Sequence, residues 1–410
     1  MPTINADRLL ESLYELRQFG AVGTGVVRPA FSDEDMEARD WLKQQFDESG
    51  LSTHIDGVGN VFGESRNPAP AILLGSHADT QPTGGWLDGA LGVMYGLEAA
   101  RTLSEDQKTN NLAVDVVALQ DEESRFIGCL GSRSLCGLLE ENAVSSATDS
   151  DGISLEETLR RLGLLSVPRI NLDVSRYVGF LEAHIEQGPH LEADKHHIGV
   201  VTSIVGLGGC RITFRGKQNH AGTTMMKHRK DAATALFALA DAINKKLPDI
   251  AGPRTVWTMG RAVVQPGAPS IVPGYAELDL QYRDPSDEIL DLIDEEIDEL
   301  VVQISLQTNV SINIENIRPR VNPVTMDSVL RQHLCKSAAR LAPDKFQEMP
   351  SGAYHDAGIM STILPSAMLF IPSIGGVSHD FSENSFDDDI VVGCQVLVDA
   401  VVSILSDANS

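Results

Sequence analysis

The chain has 410 residues, 42% of them hydrophobic, and a mean hydropathy of −0.07 that is ordinary for a globular protein. This length allows two domains, each with its own core. The formal net charge of −26 would repel nucleic acid phosphates and anionic membrane surfaces, so neither is expected as a partner.

The cysteines are scattered and form no Cys-x-x-Cys pair: Cys129, Cys136, Cys210, Cys335 and Cys394. This usage predicts reduced thiols in a cytoplasmic protein rather than disulfides or cysteine-bound zinc. The N-terminus has no basic segment followed by an apolar one, so no signal peptide is expected. No apolar run is expected to approach the ~18 residues of a membrane span.

The first part of the chain alternates helices and strands. In chain order, the predicted elements are helices at 5–19 and 32–48, strands near 58–63 and 71–76, a helix at about 91–103 and a strand at 112–119. Ser32 is a plausible N-terminal cap of the second helix. The alternation predicts an α/β fold with a mostly parallel sheet covered on both faces.

The pattern changes at the Gly-rich segment 206–209. The elements then predicted are a strand at 210–216, a helix at 231–246, strands at 255–263 and 275–283, a helix at 286–307 and a strand at 309–317. This β-α-β-β-α-β order is ferredoxin-like, and about 110 residues suffice for an independent domain.

Residues 318–323 are predicted as the return linker. The elements expected after it are a helix at 327–341, a strand at 367–371 and a closing helix at about 387–405. We therefore predict a discontinuous catalytic domain, residues 1–208 with 322–410, and an inserted domain at 209–321.

Candidate metal ligands follow apolar, strand-like runs at four places. They are His77, the pair Glu122 and Glu123, His184 and His379; a further carboxylate, Asp88, precedes a helix. In open α/β sheets the functional crevice lies outside the carboxyl ends of the strands, so these side chains can converge. Three imidazoles with carboxylates suit a pair of zinc-like ions.

Each candidate also has an ordinary alternative. His77 and Asp79 could be solvated loop residues, although Asp79 could also fix the tautomer of a ligating ring. Asp88 could be a helix N-cap. The run Asp121–Glu123 could be an acidic loop, but adjacent carboxylates repel one another unless cations offset their charge. One of them would then be a ligand and another a general base.

Two residues of the predicted inserted domain could act on a substrate. His220, in an Ala-Gly turn, could donate a hydrogen bond to an oxyanion, or the turn could simply cap the next helix. Arg283 ends an alternating strand and could bind a carboxylate in bidentate fashion, or be a surface charge.

The most specific segments are His-Ile-Glu-Gln-Gly-Pro at 184–189, Asn-His-Ala-Gly-Thr-Thr at 219–224 and Met-Pro-Ser-Gly-Ala at 349–353. With the ligand candidates, they resemble the hydantoinase/carbamoylase branch of the M20 metallopeptidase family from about residue 33 to 383. This branch includes N-carbamoyl-L-amino acid hydrolases, allantoate amidohydrolases and β-ureidopropionases. His184 marks the branch, because peptidase relatives more often have a carboxylate there.

The resemblance implies two divalent metal ions per subunit, either zinc or manganese, cobalt or nickel. His77, Asp88 and His184 would hold one ion. Asp88, Glu123 and His379 would hold the other, with Asp88 bridging. Glu122 would be the general base, and Asp79 would also be part of the catalytic machinery.

The resemblance further implies that the inserted domain is a lid and dimerisation domain of a homodimer. His220 would polarise the scissile carbonyl, reaching a site in the partner subunit. Arg283 would bind the substrate carboxylate and Gln187 the amide end. The other residues expected to contact substrate are Asn219, Ser270, Gly352 and Ala353.

The implied reaction is hydrolysis of a linear C–N amide or ureido bond. The leading substrate is an N-carbamoyl-L-amino acid, giving the L-amino acid, ammonia and carbon dioxide. The alternatives are an allantoate amidohydrolase, a β-ureidopropionase, an aminopeptidase or dipeptidase, and a non-catalytic binding protein with the same fold.

The chain departs from the family pattern at four places, none of which is a predicted ligand. Ser270 replaces an Asn, Tyr354 a Gly and Met226 a Pro, and the loop after Glu123 lacks a Gly. These departures bear on substrate choice rather than on the chemistry.

Overall fold

The computed structural model describes residues 2–68, 70–140, 142–315 and 320–409. The chain divides into two compact units, one formed by Met1–Thr202 with Thr325–Ser410 and the other by Ser203–Val324. Each unit has a hydrophobic core of its own.

The larger unit begins with the segment that contains its first helices and most of its strands. These elements are α1 (Ala6–Gln18), β1 (Ala21–Val22), β2 (Gly25–Val26), α2 (Asp33–Glu48), β3 (Ser52–Ile55), β4 (Val61–Glu64), β5 (Ala71–His77), α3 (Ala90–Glu105), β6 (Ala113–Leu119), α4 (Leu130–Leu135), α5 (Ala143–Ser146), α6 (Leu155–Arg161), β7 (Tyr177–Ile185), α7 (His190–Asp194) and β8 (Ile198–Ile204).

The smaller unit and the returning segment follow in the chain. The smaller unit contains β9 (Gly206–Arg215), β10 (Asn219–His220), α8 (Ala232–Ile250), β11 (Val256–Gln265), β12 (Ile271–Val272), β13 (Tyr275–Asp284), α9 (Asp287–Thr308) and β14 (Ser311–Glu315). The returning elements are β15 (Val324–Thr325), α10 (Ser328–Leu341), β16 (Phe346–Ser351), α11 (Asp356–Met360), β17 (Ser366–Ile371) and α12 (Asp387–Ala408).

The central sheet of the larger unit has the strand order β15-β8-β17-β7-β5-β6-β4-β3, and β16 pairs with β8. Its middle strands β17, β7, β5 and β6 run parallel to one another. Every residue of β5, β6 and β17 is buried, which accounts for their mostly apolar sequences. The predicted α/β fold with a mostly parallel sheet is confirmed.

Helix caps and packing explain how the larger unit's helices are placed. The Ser32 hydroxyl accepts a hydrogen bond from the backbone N–H of Asp35, so the predicted cap of α2 is confirmed. Helices α3 and α12 contribute many buried side chains to the same core as β5 and β7.

Helix α12 bears on the expectation that no apolar run is long enough to span a membrane. Among the described residues, it is long and apolar enough by composition to cross a membrane, although no segment was expected to be so. Gln395 and Asp399 interrupt its apolar run, and Asp399 pairs with Arg340. The finding is weak evidence for a span, because 67% of the apolar window is buried inside the fold, as in a core helix.

The smaller unit has a four-stranded antiparallel sheet with the order β11-β13-β9-β14. Buried residues alternate along β9 and β13, and they pack with the apolar faces of α8 and α9. The short strands β10 and β12 pair separately, which places Asn219 opposite Val272 and His220 opposite Ile271.

Strands β3, β8 and β16 were not predicted. The strand expected at 58–63 is β4, which begins at Val61. The strand expected at 309–317 covers Ser311–Glu315. Residues 316–319, which include its predicted end and the start of the predicted linker, lie outside the described residues.

Candidate metal centre

The strand ends of the larger unit bring the predicted ligands into two groups. His77, Asp88 and His184 each offer a ligand atom within 4.8 Å of the others, and so do Asp88, Glu123 and His379. The parallel register pairs His77 with Leu119, so the residues that follow β6 lie beside the end of β5. His184 pairs with Phe370 of β17, the strand that leads to His379.

The two carboxylate oxygens of Asp88 face different histidines. Oδ1 lies 3.0 Å from Nε2 of His184 and 3.5 Å from Nε2 of His77. Oδ2 lies 3.2 Å from Nε2 of His379. Asp88 is not a helix cap, because the N-cap of α3 is Gly89 and no side chain caps that helix end. This geometry suits a carboxylate that bridges two ions.

Backbone carbonyls orient the two buried histidine rings. Nδ1 of His77 lies 3.0 Å from the carbonyl oxygen of Asp79, and Nδ1 of His184 lies 2.9 Å from that of Ile185. When protonated, each ring donates its Nε2–H to the Asp88 carboxylate, whereas a neutral ring with its proton on Nδ1 would offer the Nε2 lone pair to a cation.

The carboxylate of Asp79 therefore does not have the role suggested for it beside the His77 ring. Its Oδ1 is 3.9 Å from Nδ1 of His77. Instead it accepts hydrogen bonds from the backbone N–H groups of Glu122 at 3.4 Å and Glu123 at 3.2 Å. Asp79 thus links the end of β5 to the loop that contains the glutamate pair.

The glutamate pair lies at the centre of the cluster. Oε1 of Glu123 is buried, has no hydrogen-bond partner among the described residues and lies 3.5 Å from Nε2 of His379. Its Oε2 accepts a hydrogen bond of 2.7 Å from Gln81. Oε2 of Glu122 lies 3.8 Å from Nε2 of His77. A buried carboxylate oxygen without a partner beside an imidazole fits a cation ligand.

Burial and mutual repulsion set the electrostatics of these carboxylates. Burial, with the charge of Glu123 added, raises the pKa of Glu122 well above its usual range. Burial and the charge of Asp88 raise the pKa of Glu123 to about 7. Burial also acts to raise the pKa of Asp88, but hydrogen bonds from His184, His379 and His77 outweigh it and hold that pKa well below its usual range. Cations would offset the repulsion, so the donor set fits divalent metals.

Two other predicted segments of the larger unit also reach this cluster. The side-chain amide of Gln187 donates to Oδ2 of Asp88 at 3.0 Å. After Gly352, the N–H of Ala353 donates to Oγ of Ser351, which lies 3.0 Å from Nε2 of His355. The His355 ring packs edge-on against His184, with 4.6 Å between ring centroids.

In the smaller unit, His220 is exposed and its ring has a defined tautomer. Nδ1 accepts hydrogen bonds from the backbone N–H groups of Gly222 at 3.0 Å and Thr223 at 3.2 Å, so a neutral ring has its proton on Nε2. The carbonyl of Ser270 accepts a hydrogen bond of 2.9 Å from Ala221, and Asn219 precedes His220 in β10. Arg283 lies near the end of β13, where burial lowers the pKa of its guanidinium.

One acidic residue of the cluster was missed by sequence reasoning. Oε1 of Glu383 accepts hydrogen bonds from the backbone N–H groups of Leu87 at 3.2 Å and Asp88 at 3.1 Å. Its Oε2 accepts one of 2.9 Å from Ser378. Glu383 thus fixes the backbone at Asp88. In the sequence, its role is indicated only by its position four residues after the candidate ligand His379.

A model of peptidase family M20/M25/M40 matches residues 73–403. The chain belongs to this family. It is 34% identical to the N-carbamoyl-L-amino-acid amidohydrolase of Paenarthrobacter aurescens, with 96% of each chain covered. It is 33% identical to the allantoate amidohydrolase of Bacillus subtilis, with 94% of each covered.

A solved structure of a hydantoinase/carbamoylase family amidase from Burkholderia phymatum is 45% identical, with a TM-score of 0.93 over 99% of each chain. The predicted family and branch are confirmed, and so is a hydrolase that acts on non-peptide C–N bonds of linear amides. Members of the M20 family depend on metal, which agrees with the two ligand groups. The role of each site residue stays a prediction.

Proposed function

We propose that the chain hydrolyses N-carbamoyl-L-amino acids to the L-amino acid, ammonia and carbon dioxide, with two divalent metal ions per subunit. The observation that carries this proposal is the carboxylate of Asp88, whose two oxygens face different groups of candidate ligands. The similarity to a named N-carbamoyl-L-amino-acid amidohydrolase supports the choice of substrate.

In this proposal His77, Asp88 and His184 hold one ion, and Asp88, Glu123 and His379 hold the other. Zinc is the first candidate because imidazole and carboxylate ligands suit it, with manganese, cobalt or nickel as alternatives. When bound, such ions polarise a carbonyl and lower the pKa of water from ~15.7 toward ~7.

Glu122 is the proposed general base. Its side chain is 12% exposed beside His77 and does not belong to either ligand group, so it is available to take a proton. It would accept the proton of the attacking water and then donate it to the leaving nitrogen. Asp79 would hold the backbone of Glu122 and Glu123 while this occurs.

The ferredoxin-like inserted domain, residues 209–321, is the proposed lid and dimerisation domain. Its edge strand β11 is ten residues long and largely accessible, and an unpaired edge of this kind is a natural place for pairing across a two-fold axis. Phe237 of α8 is 63% exposed, which also supports a homodimer.

Two residues of this domain would recognise the substrate. The N–H at Nε2 of His220 would donate to the developing oxyanion, in the active site of the partner subunit. Arg283 would bind the α-carboxylate through its planar guanidinium. The other proposed substrate contacts, at the ureido group and around it, are Gln187, Asn219, Ser270, Gly352 and Ala353.

The substrate test is turnover by the metal-loaded protein across N-carbamoyl-L-amino acids, N-carbamoyl-β-alanine, allantoate and dipeptides. Ammonia and a free L-amino acid are expected from the first class. Allantoate is the second candidate, since one relative is named an allantoate amidohydrolase. Cleavage of dipeptides without ammonia release would overturn the proposal. A cytoplasmic location is also proposed, which five free thiols support.

A further inference from the structure

Arg39 of α2 is completely buried, and its guanidinium joins three different elements. Nε donates to both carboxylate oxygens of Asp35, at 3.0 and 3.1 Å. Nη1 donates to the carbonyls of Gly59 at 3.1 Å and Ala118 at 3.2 Å. Nη2 donates to the carbonyl of Leu119 at 3.0 Å.

These contacts reach the loop of the glutamate pair by two routes. Ala118 and Leu119 are the last residues of β6, just before Glu122 and Glu123. Nη2 of Arg39 also lies 3.8 Å from the carboxylate of Asp79, which accepts the backbone N–H groups of both glutamates.

The partner carboxylate is itself held in place. Asp35 accepts a hydrogen bond of 2.7 Å from the N–H of Phe31 and one of 2.8 Å from the side chain of Gln120, the first residue after β6. The buried ion pair of Arg39 and Asp35 is therefore hydrogen-bonded to the residues at the end of β6.

We propose that Arg39 is a positioning residue for Glu122 and Glu123, acting through the end of β6 and through Asp79. A guanidinium suits this place because its five donors lie in one plane and reach acceptors on separate elements, whereas an ammonium has three donors at one point. The inference rests on the proposed function for what the two glutamates do. Its direct readout, metal affinity, needs no substrate.

The test variant is Arg39→Lys, which keeps a cation opposite Asp35 but loses the planar donors. Groups that orient metal ligands typically change metal affinity or activity ~10- to 100-fold when replaced. We expect that loss in the affinity of the metal-free protein for Zn²⁺ or Mn²⁺, titrated against a chelating dye. At saturating metal, kcat should fall more than KM changes, because the base is displaced rather than the substrate contacts.

The matched control is Arg176→Lys. Arg176 binds Asp115 of the same strand with hydrogen bonds of 2.7 and 3.0 Å, but near the opposite end of β6 from the glutamates. The Arg176→Lys variant should have a lower midpoint of thermal unfolding. Its metal affinity and kcat should stay within about twofold of wild type, because Arg176 is distant from the metal centre.

Equal metal affinities in Arg39→Lys and Arg176→Lys would overturn the proposal, since both changes would then act only on stability. If Arg39→Lys does not fold, the uncharged pair Asp35→Asn with Arg39→Gln takes its place, with Asp115→Asn and Arg176→Gln as its control. The metal affinities of these two double variants are then compared, and equal affinities would overturn the proposal. The proposed function would be refuted if the wild-type protein binds metal but does not hydrolyse any ureido compound. The comparison of metal affinities between the Arg39 and Arg176 variants would still be valid in that case.

Discussion

Replacing Gly89 with alanine tests whether the His77 ring must stay where the structure places it. Gly89 follows Asp88 and has φ +66°, and a Cβ added there would lie 2.4 Å from Nε2 of His77 and 2.5 Å from its neighbouring ring carbons. Ordinary contact begins at 3.4 Å, so the ring or the loop must move by ~1 Å. A misplacement of that size at a reacting centre can cost on the order of 10²-fold in rate.

The control is Gly137→Ala. Gly137 has φ +68°, and an added Cβ meets no atom within 4 Å. Both variants suffer the backbone strain of a positive φ, about 1–3 kcal/mol, but only Gly89→Ala touches a predicted ligand. Thermal unfolding, metal content by elemental analysis and kcat are measured for both. Gly89→Ala with the metal content and kcat of Gly137→Ala would refute the placement of His77 in the metal centre.

Further predictions concern the glutamate pair, the arginine and the dimer. Glu122→Gln should keep its metal but lose on the order of 10²–10⁴ in kcat, because an amide cannot accept the proton; Glu123→Gln should instead lose metal, and elemental analysis showing the reverse would exchange the two roles. Arg283→Ala should raise KM for an N-carbamoyl-L-amino acid and lower kcat/KM roughly 10- to 150-fold; unchanged discrimination against the matching carboxamide would mean that the carboxylate is bound elsewhere. Sedimentation of the metal-loaded protein should show a dimer, and an active monomer at assay concentration would contradict the role of β11.

Much of the fold and the candidate ligand positions could be predicted because both depend on local patterns. Buried parallel strands such as β5 and β6 are mostly apolar, and the candidate metal ligands lie at or after their carboxyl ends. In β7 the apolar run that leads to His184 contains the buried Glu182, which needs hydrogen-bond partners inside the fold. Glu182 is accommodated by hydrogen bonds from Ser76 and from the backbone of Ala357.

The supporting residues could not be predicted, because their partners are distant in sequence. Glu383 binds the backbone of Asp88, and Arg39 binds carbonyls at the end of β6. Neither has a local signature, since an acidic loop residue and a helical arginine are common on surfaces. The partner of the Asp79 carboxylate was left open in the sequence for a related reason. The His77 ring contacts the backbone carbonyl of Asp79 rather than its carboxylate. This choice depends on the direction of the backbone after β5, which the spacing of the two residues in the sequence does not determine.

Anomalous diffraction from crystals of metal-reconstituted protein tests the central claim most directly. Two ions are predicted, about 3.5–4 Å apart, with one oxygen of Asp88 bound to each. His77 and His184 should complete one site, and Glu123 and His379 the other. A single ion, or two ions that do not share Asp88, would contradict the account.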